Sequence, residues 1–209
     1  IAKKCNLIVS FHPIIFSGLK KLNGTNYVER VVLKAIKNNI AIYATHTALD
    51  NCNTGVSAKM CEVLGLVNTQ ILIPKETNSK NNIGMGMIGE FSKELSEKEF
   101  LSLLKSTFKT GCVRHSNLMN KTIKKVAVLG GSGSFAIPNA IQQKADAYIS
   151  ADFKYHDFFL AENKILLADV GHYESEQFTK NLLVEYLTKK FTNFAVILSE
   201  KSTNPISYF

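Results

Sequence analysis

The sequence predicts an α/β fold of two similar lobes, and three observations carry that expectation. Short β-branched apolar runs alternate along the chain with stretches of helical period. Strand followed by helix implies parallel pairing, with helices packed on the sheet faces. One composition break, KETNSKNN at 75–82, divides an N-terminal lobe (1–74) from a C-terminal lobe (83–209) that repeats the alternation.

The first lobe opens with the strand pattern LIVS at 7–10, then a helical pattern at 27–38 and the strand AIYA at 41–44. A second helix is expected over 56–64 and a third strand over 70–73. Ile1 has no Met before it and a core-strand pattern follows almost at once, so further residues are expected upstream. After the polar junction comes the glycine-rich IGMGMIGE, then a helix at 97–108. Ser96 and Glu99 there form a capping box, each satisfying a backbone donor of the other. The stretch 111–121 carries no clear period and takes no assignment. Strands are expected at 125–129, 147–150, 165–169 and 195–198, with helices at 137–144, 154–162 and 175–191. The last helix is the clearest, because Phe178, Leu182, Leu183, Tyr186, Leu187 and Phe191 recur along one face.

Composition narrows the class. The chain has 209 residues, 45% of them hydrophobic and 20% charged, which excludes a disordered tail, a collagen or a disulfide-dense miniprotein. Its four cysteines (Cys5, Cys52, Cys61, Cys112) never fall as C-x-x-C, so a zinc ribbon is excluded and reduced thiols in a cytoplasmic protein are expected. No apolar run approaches the length that crosses a membrane. The net charge of +8 comes from scattered lysine pairs and lacks any recognition-helix or ribonucleoprotein signature. It predicts a basic surface with some attraction for nucleotides or other anionic small molecules, and no specific nucleic-acid binding.

Three segments place potential ligands just after a strand, where open α/β sheets carry their sites. They are Ser10-Phe11-His12-Pro13, the run from Thr45 and His46 to Asp50, and the run from Gly171 and His172 to Glu176. His172 and Glu176 stand four apart, so one helical turn points both the same way. Imidazole with carboxylate suits Zn, Mn, Fe or Co. Each group also has a plain structural role open to it, such as capping by Asp50 or a helix-dipole contact by Glu176. A competing motif is Gly131-Ser132-Gly133-Ser134-Phe135-Ala136, a G-x-G-x-x-A after a strand, with Asp152 about where a ribose-binding acid would stand. Walker A is absent from the sequence.

Five ordered blocks, NLIVSFHPIIFSGLKKL, AIYATHTALDN, VAVLGGSGSF, ADAYISADFKYHD and LLADVGHYESEQ, resemble the Nif-three-like proteins. That family is also known as GTP cyclohydrolase I type 2 homologs, or dinuclear metal-centre hexameric proteins. The resemblance spans nearly the whole chain. It implies two α/β lobes with mixed sheets flanked by helices, assembled into a homohexameric toroid with two divalent cations (Zn, Fe, Mn or Mg) per subunit. The ligands it implies are His12, Asp50, His172 and Glu176, with Glu176 as the bridge. The family's His-His-Pro reads Phe11-His12-Pro13 here, so one usual ligand is replaced by a phenyl ring and the second cation is expected to bind less fully. His46 is a neighbour of the site without being a ligand. Longer members carry an insert at the junction, for which this chain has no room.

The function implied is that of a metal-dependent hydrolase acting on a nucleotide, its hydroxide opening a purine imidazole ring as the cyclohydrolase label suggests. His156 is a candidate acid/base, with a structural histidine as the alternative. Two other readings stay open: a non-catalytic metal-binding toroid with a regulatory or scaffold role, and a nucleotide-binding oxidoreductase.

Overall fold

A computed structural model describes residues 1–75 and 83–209. The expected junction therefore lies, apart from Lys75, outside the described residues. Contacts gather the chain into two units, Ile1–Leu49 and Asp50–Phe209.

In the first unit β1 (Leu7–Ser10) runs parallel to β2 (Ala41–Ala44), with Leu7 opposite Ala41 and Ser10 opposite Ala44. Parallel neighbours need a long crossover, and α1 (Tyr27–Lys37) lies on it. Asn26 caps that helix by accepting the N–H of Glu29 at 3.0 Å. The buried Glu29 carboxylate in turn accepts the N–H groups of Asn23 and Thr25, each at 3.0 Å, so the approach loop is tied to the first turn. The short helix α2 (His46–Asp50) follows β2.

The second unit is built on one six-stranded mixed sheet. Its strands are β3 (Val67–Pro74), β4 (Gly84–Ser96), β5 (Arg114–His115), β6 (Thr122–Ser132), β7 (Ala147–Ala151) and β8 (Leu166–Asp169). They lie in the order β3-β4-β6-β7-β8-β5, with β6, β7 and β8 parallel and the outer pairs antiparallel. Helices α3 (Val56–Leu64), α4 (Glu97–Thr107), α5 (Ile137–Gln142), α6 (His172–Glu176) and α7 (Thr179–Lys190) complete it, with 3₁₀ turns at Ser134–Ala136 and Tyr155–Ala161. Side chains alternate across the sheet. Val126 and Val128 of β6 join Met60, Phe100, Leu104 and Phe108 in one core. Ala127 and Leu129 join Ile137, Ala140, Tyr148 and Phe153 in the other. The capping box at Ser96 and Glu99 forms as expected.

Four expectations are corrected. Gly84–Ser96, unassigned in the sequence, is a long strand. Its glycines hide it: a Cβ at Gly84 would collide with the Ile73 carbonyl, so the close approach of β3 demands the residue that strand patterns disfavour. The expected helix 175–191 is two helices, because Gln177 turns its amide back to the carbonyls of Phe108 (2.6 Å) and Glu174 (3.0 Å). Residues 195–198 form no strand; the tail instead runs on, with Asn204 donating to Glu174 at 2.9 Å and the Tyr208 ring filling the space that Gly111 leaves. The pattern at 154–162 folds as a 3₁₀ turn. As for the lobes, β3 and β4 flank the junction yet pair directly, Pro74 opposite Gly84, and belong to one sheet. Among the described residues no helix is long and apolar enough to cross a membrane.

Candidate metal centre

The parallel strands β6, β7 and β8 end together at Ser132, Ala151 and Asp169, and the segments leaving them carry the chemistry. Beyond β8 the buried Asp169 accepts the N–H of Phe153 and of Gly171, each at 3.0 Å, and pairs with Arg114. These bonds fold the chain back so that α6 begins at once, with Gly171 at φ +94° supplying a conformation open to glycine. His172 and Glu176 then stand one turn apart, His172 Nε2 lying 3.3 Å from Glu176 Oε2.

A buried network fixes this turn to the sheet. Ser175 Oγ accepts the Gly131 N–H at 2.9 Å and donates to the His172 carbonyl at 2.8 Å. Ser150 Oγ donates to the Gly131 carbonyl at 2.9 Å. Gly131 sits at φ +69°, and a Cβ there would overlap Glu176 Oε1 and come within 3.2 Å of His172 Nε2. The missing side chain is thus the space into which both donors project.

Charge accumulates in that space. Burial, with the Glu176 carboxylate nearby, pushes the Asp50 carboxyl up to about 7, while His172 pulls the other way. His172 is raised to about 9, first by its bond to Glu176 and further by Asp152, against the effect of burial. His172 Nδ1 lies 2.6 Å from Asp152 Oδ2, which also accepts the Ser132 hydroxyl. Burial opposes ionisation of Asp152, but Ser132 and His172 together hold it below the usual carboxylate range. A carboxylate and an imidazole at a glycine-made recess, with the Asp50 carboxyl in electrostatic reach of both, suit Zn, Mn or Fe, and the residues fit a divalent cation.

The sequence of the whole chain can now be set beside known proteins. The Duf34/NIF3 (NGG1p interacting factor 3) family model matches residues 1–205. The chain belongs to the DUF34/NIF3 family. It is 28% identical over 215 residues to the GTP cyclohydrolase 1 type 2 homolog of Clostridium acetobutylicum, covering 100% of this chain and 79% of that relative. To the protein of the same name from Nostoc sp. it is 31% identical over 190 residues, covering 90% of this chain and 71% of the relative. The crystal structure of the Staphylococcus aureus hypothetical protein SA1388 superposes with a TM-score of 0.90 at 28% identity, covering 98% of this chain and 80% of that one.

In this NIF3-family chain the second unit holds three of the four expected ligands: His172 and Glu176 are in contact, and Asp50 lies within electrostatic reach of both. His12 belongs to the first unit, after β1, where its ring lies 4.9 Å from Phe11 and 5.5 Å from His46 between centroids. Phe11 stands edge-on to both imidazoles. His46 opens α2 at φ +40°, its N–H bonded to the Phe11 carbonyl at 2.8 Å. His156 is exposed on the 3₁₀ turn, its ring between Tyr155 (5.1 Å) and Phe159 (6.2 Å).

The dinucleotide-like motif has another use. Its Gly131 anchors Ser175, and Asp152 spends one oxygen on Ser132 and His172. Neither Asp152 as a partner of His172 nor Ser175 is marked by a sequence motif for this role. The available signal was chemical: an imidazole that binds a cation through one nitrogen needs an acceptor for the other.

Proposed function

We propose that this chain binds divalent cations through Asp50, His172 and Glu176, and that the centre hydrolyses a nucleotide. The observation that carries the reading is the recess at Gly131, into which the Glu176 carboxylate and His172 Nε2 both project. A divalent cation bound there supplies Lewis acidity and a hydroxide nucleophile near neutral pH. Asp50 and Glu176 contribute the oxygen donors, and a bound cation would favour the ionised form of Asp50 that burial and Glu176 oppose. With a cation bound, His172 would carry its one ring hydrogen at Nδ1, 2.6 Å from Asp152, and offer Nε2.

The resemblance adds His12 as a donor and a second cation, which Phe11 leaves with one protein ligand fewer. It also adds a homohexameric assembly. A cytoplasmic setting agrees with four cysteines of which none forms a disulfide. The basic net charge of +8 favours an anionic substrate, and His156 is the candidate to move a proton on it.

The test is a panel of purine and pyrimidine nucleotides incubated with zinc-, manganese- or iron-loaded protein, with products read by mass spectrometry. Conversion of a nucleotide that requires the cation and is lost in Glu176→Ala is the expected result. Full cation binding with every nucleotide returned intact would contradict hydrolysis and favour a regulatory or scaffold role.

A further inference from the structure

We propose that Asp152 is a positioning residue: its carboxylate fixes the His172 ring so that Nε2 alone faces the cation recess. The inference rests on the metal-centre reading above and concerns a residue outside the ligand set.

Three observations support it. First, Asp152 Oδ2 lies 2.6 Å from His172 Nδ1. A carboxylate can only accept, so when a cation takes the lone pair of Nε2 the remaining ring hydrogen belongs to Nδ1, against Asp152. Nε2 is the nitrogen 3.3 Å from Glu176 Oε2 and beside the Gly131 recess. Second, the same Oδ2 accepts the Ser132 hydroxyl, so Asp152 is itself held from the end of β6. Ser132 pairs with Ala151, the last residue of β7, and the three side chains link β6, β7 and α6 at their shared edge. Third, Asp152 adopts φ +57°, a left-handed conformation that costs most non-glycine residues energy and that Asp and Asn tolerate best. That turn of the backbone sends the carboxylate back toward His172. Its side chain remains 48% exposed, so the position is not required for packing.

An outer partner of this kind typically changes cation affinity by about 10–100-fold. The informative variants are Asp152→Gly, which keeps the left-handed backbone and removes the acceptor, and Asp152→Asn, which keeps both the backbone preference and an acceptor oxygen. Zinc affinity is measured by competition with a chromophoric chelator, beside wild type and His172→Ala. The melting temperature of each metal-free protein is recorded in parallel. Asp152→Gly should bind zinc about 10–100-fold more weakly, while Asp152→Asn stays near wild type and both metal-free proteins melt close to it. In zinc-loaded wild type the His172 Nδ1–H should give a slowly exchanging downfield proton resonance, retained in Asp152→Asn and lost in Asp152→Gly.

If His172→Ala loses zinc but Asp152→Gly binds within about twofold of wild type, the positioning role is overturned while the metal centre stands. Zinc bound equally well without the His172 imidazole would overturn the centre and the positioning role together. The wild-type resonance depends on no variant, and its absence in the zinc-loaded protein would also overturn the proposal.

Discussion

Gly131→Ala is expected to weaken cation binding at the proposed centre while leaving the chain folded. The added methyl meets two separate penalties. The backbone there sits at φ +69°, which costs an alanine about 1–2 kcal/mol. The Cβ would also overlap Glu176 Oε1 and crowd His172 at 3.2 Å. Glu176 is the end of a flexible side chain and can swing away cheaply, so the fold survives. The displaced carboxylate is the proposed donor, however, and its departure weakens the site. Gly65 provides the control: it sits at φ +72° in the C-cap of α3 with nothing within 4 Å of the added carbon. Gly65→Ala carries the same backbone cost without touching the recess. Both variants should melt a few degrees lower, but only Gly131→Ala should lose cation affinity by at least about tenfold, the loss associated with disturbing a ligand's support. Equal affinities in the two variants would show that the recess is not where the ion sits.

The second large effect is the response of the metal-free chain to pH. Asp50 is raised from 3.8 to about 7 by burial and by Glu176, so between those values the folded state holds a proton that the unfolded state has lost. Stability from that group therefore falls as pH rises from about 4 to 7. His172 is raised from 6.5 to about 9, chiefly by Glu176. Its contribution is fully present below 6.5 and is lost as pH rises through 9. The two slopes share a sign, so the chelator-treated protein should melt at steadily lower temperature from pH 5 to pH 9. Asp152, held low by Ser132 and His172, acts in the opposite direction only on the acid side, below its ordinary value of 3.8. Saturating zinc replaces the protons and should flatten or reverse the trend, because a ligand bound only by the folded state stabilises it. A melting temperature that rises from pH 5 to pH 9 in chelator would contradict the arrangement of these groups.

The parts of the fold visible in the sequence are those set by local chemistry. Ser96 and Glu99 make their box within four residues, and the buried runs of β7 and β8 are continuous because both faces are covered. The His172–Glu176 spacing likewise needs only one turn of helix. Features decided by distant partners were hidden. The glycines of β4 answer to the crowding of β3, and the break between α6 and α7 depends on the Phe108 carbonyl, 69 residues from Gln177. The run 195–198 has the composition of a strand but gains no edge to pair with. Asp152 follows a glycine-rich turn at the spacing of a ribose-binding acid, whereas its partner in the structure stands 20 residues on, at the start of α6.

The central claim is that Asp50, His172 and Glu176 hold a divalent cation. Crystals soaked in manganese or zinc and measured at an anomalous wavelength test it without any assay of activity. The account predicts a peak about 2.0–2.2 Å from His172 Nε2 and from carboxylate oxygens of Asp50 and Glu176. An ion bound elsewhere on the chain, with these three side chains left unligated at saturating metal, would contradict it.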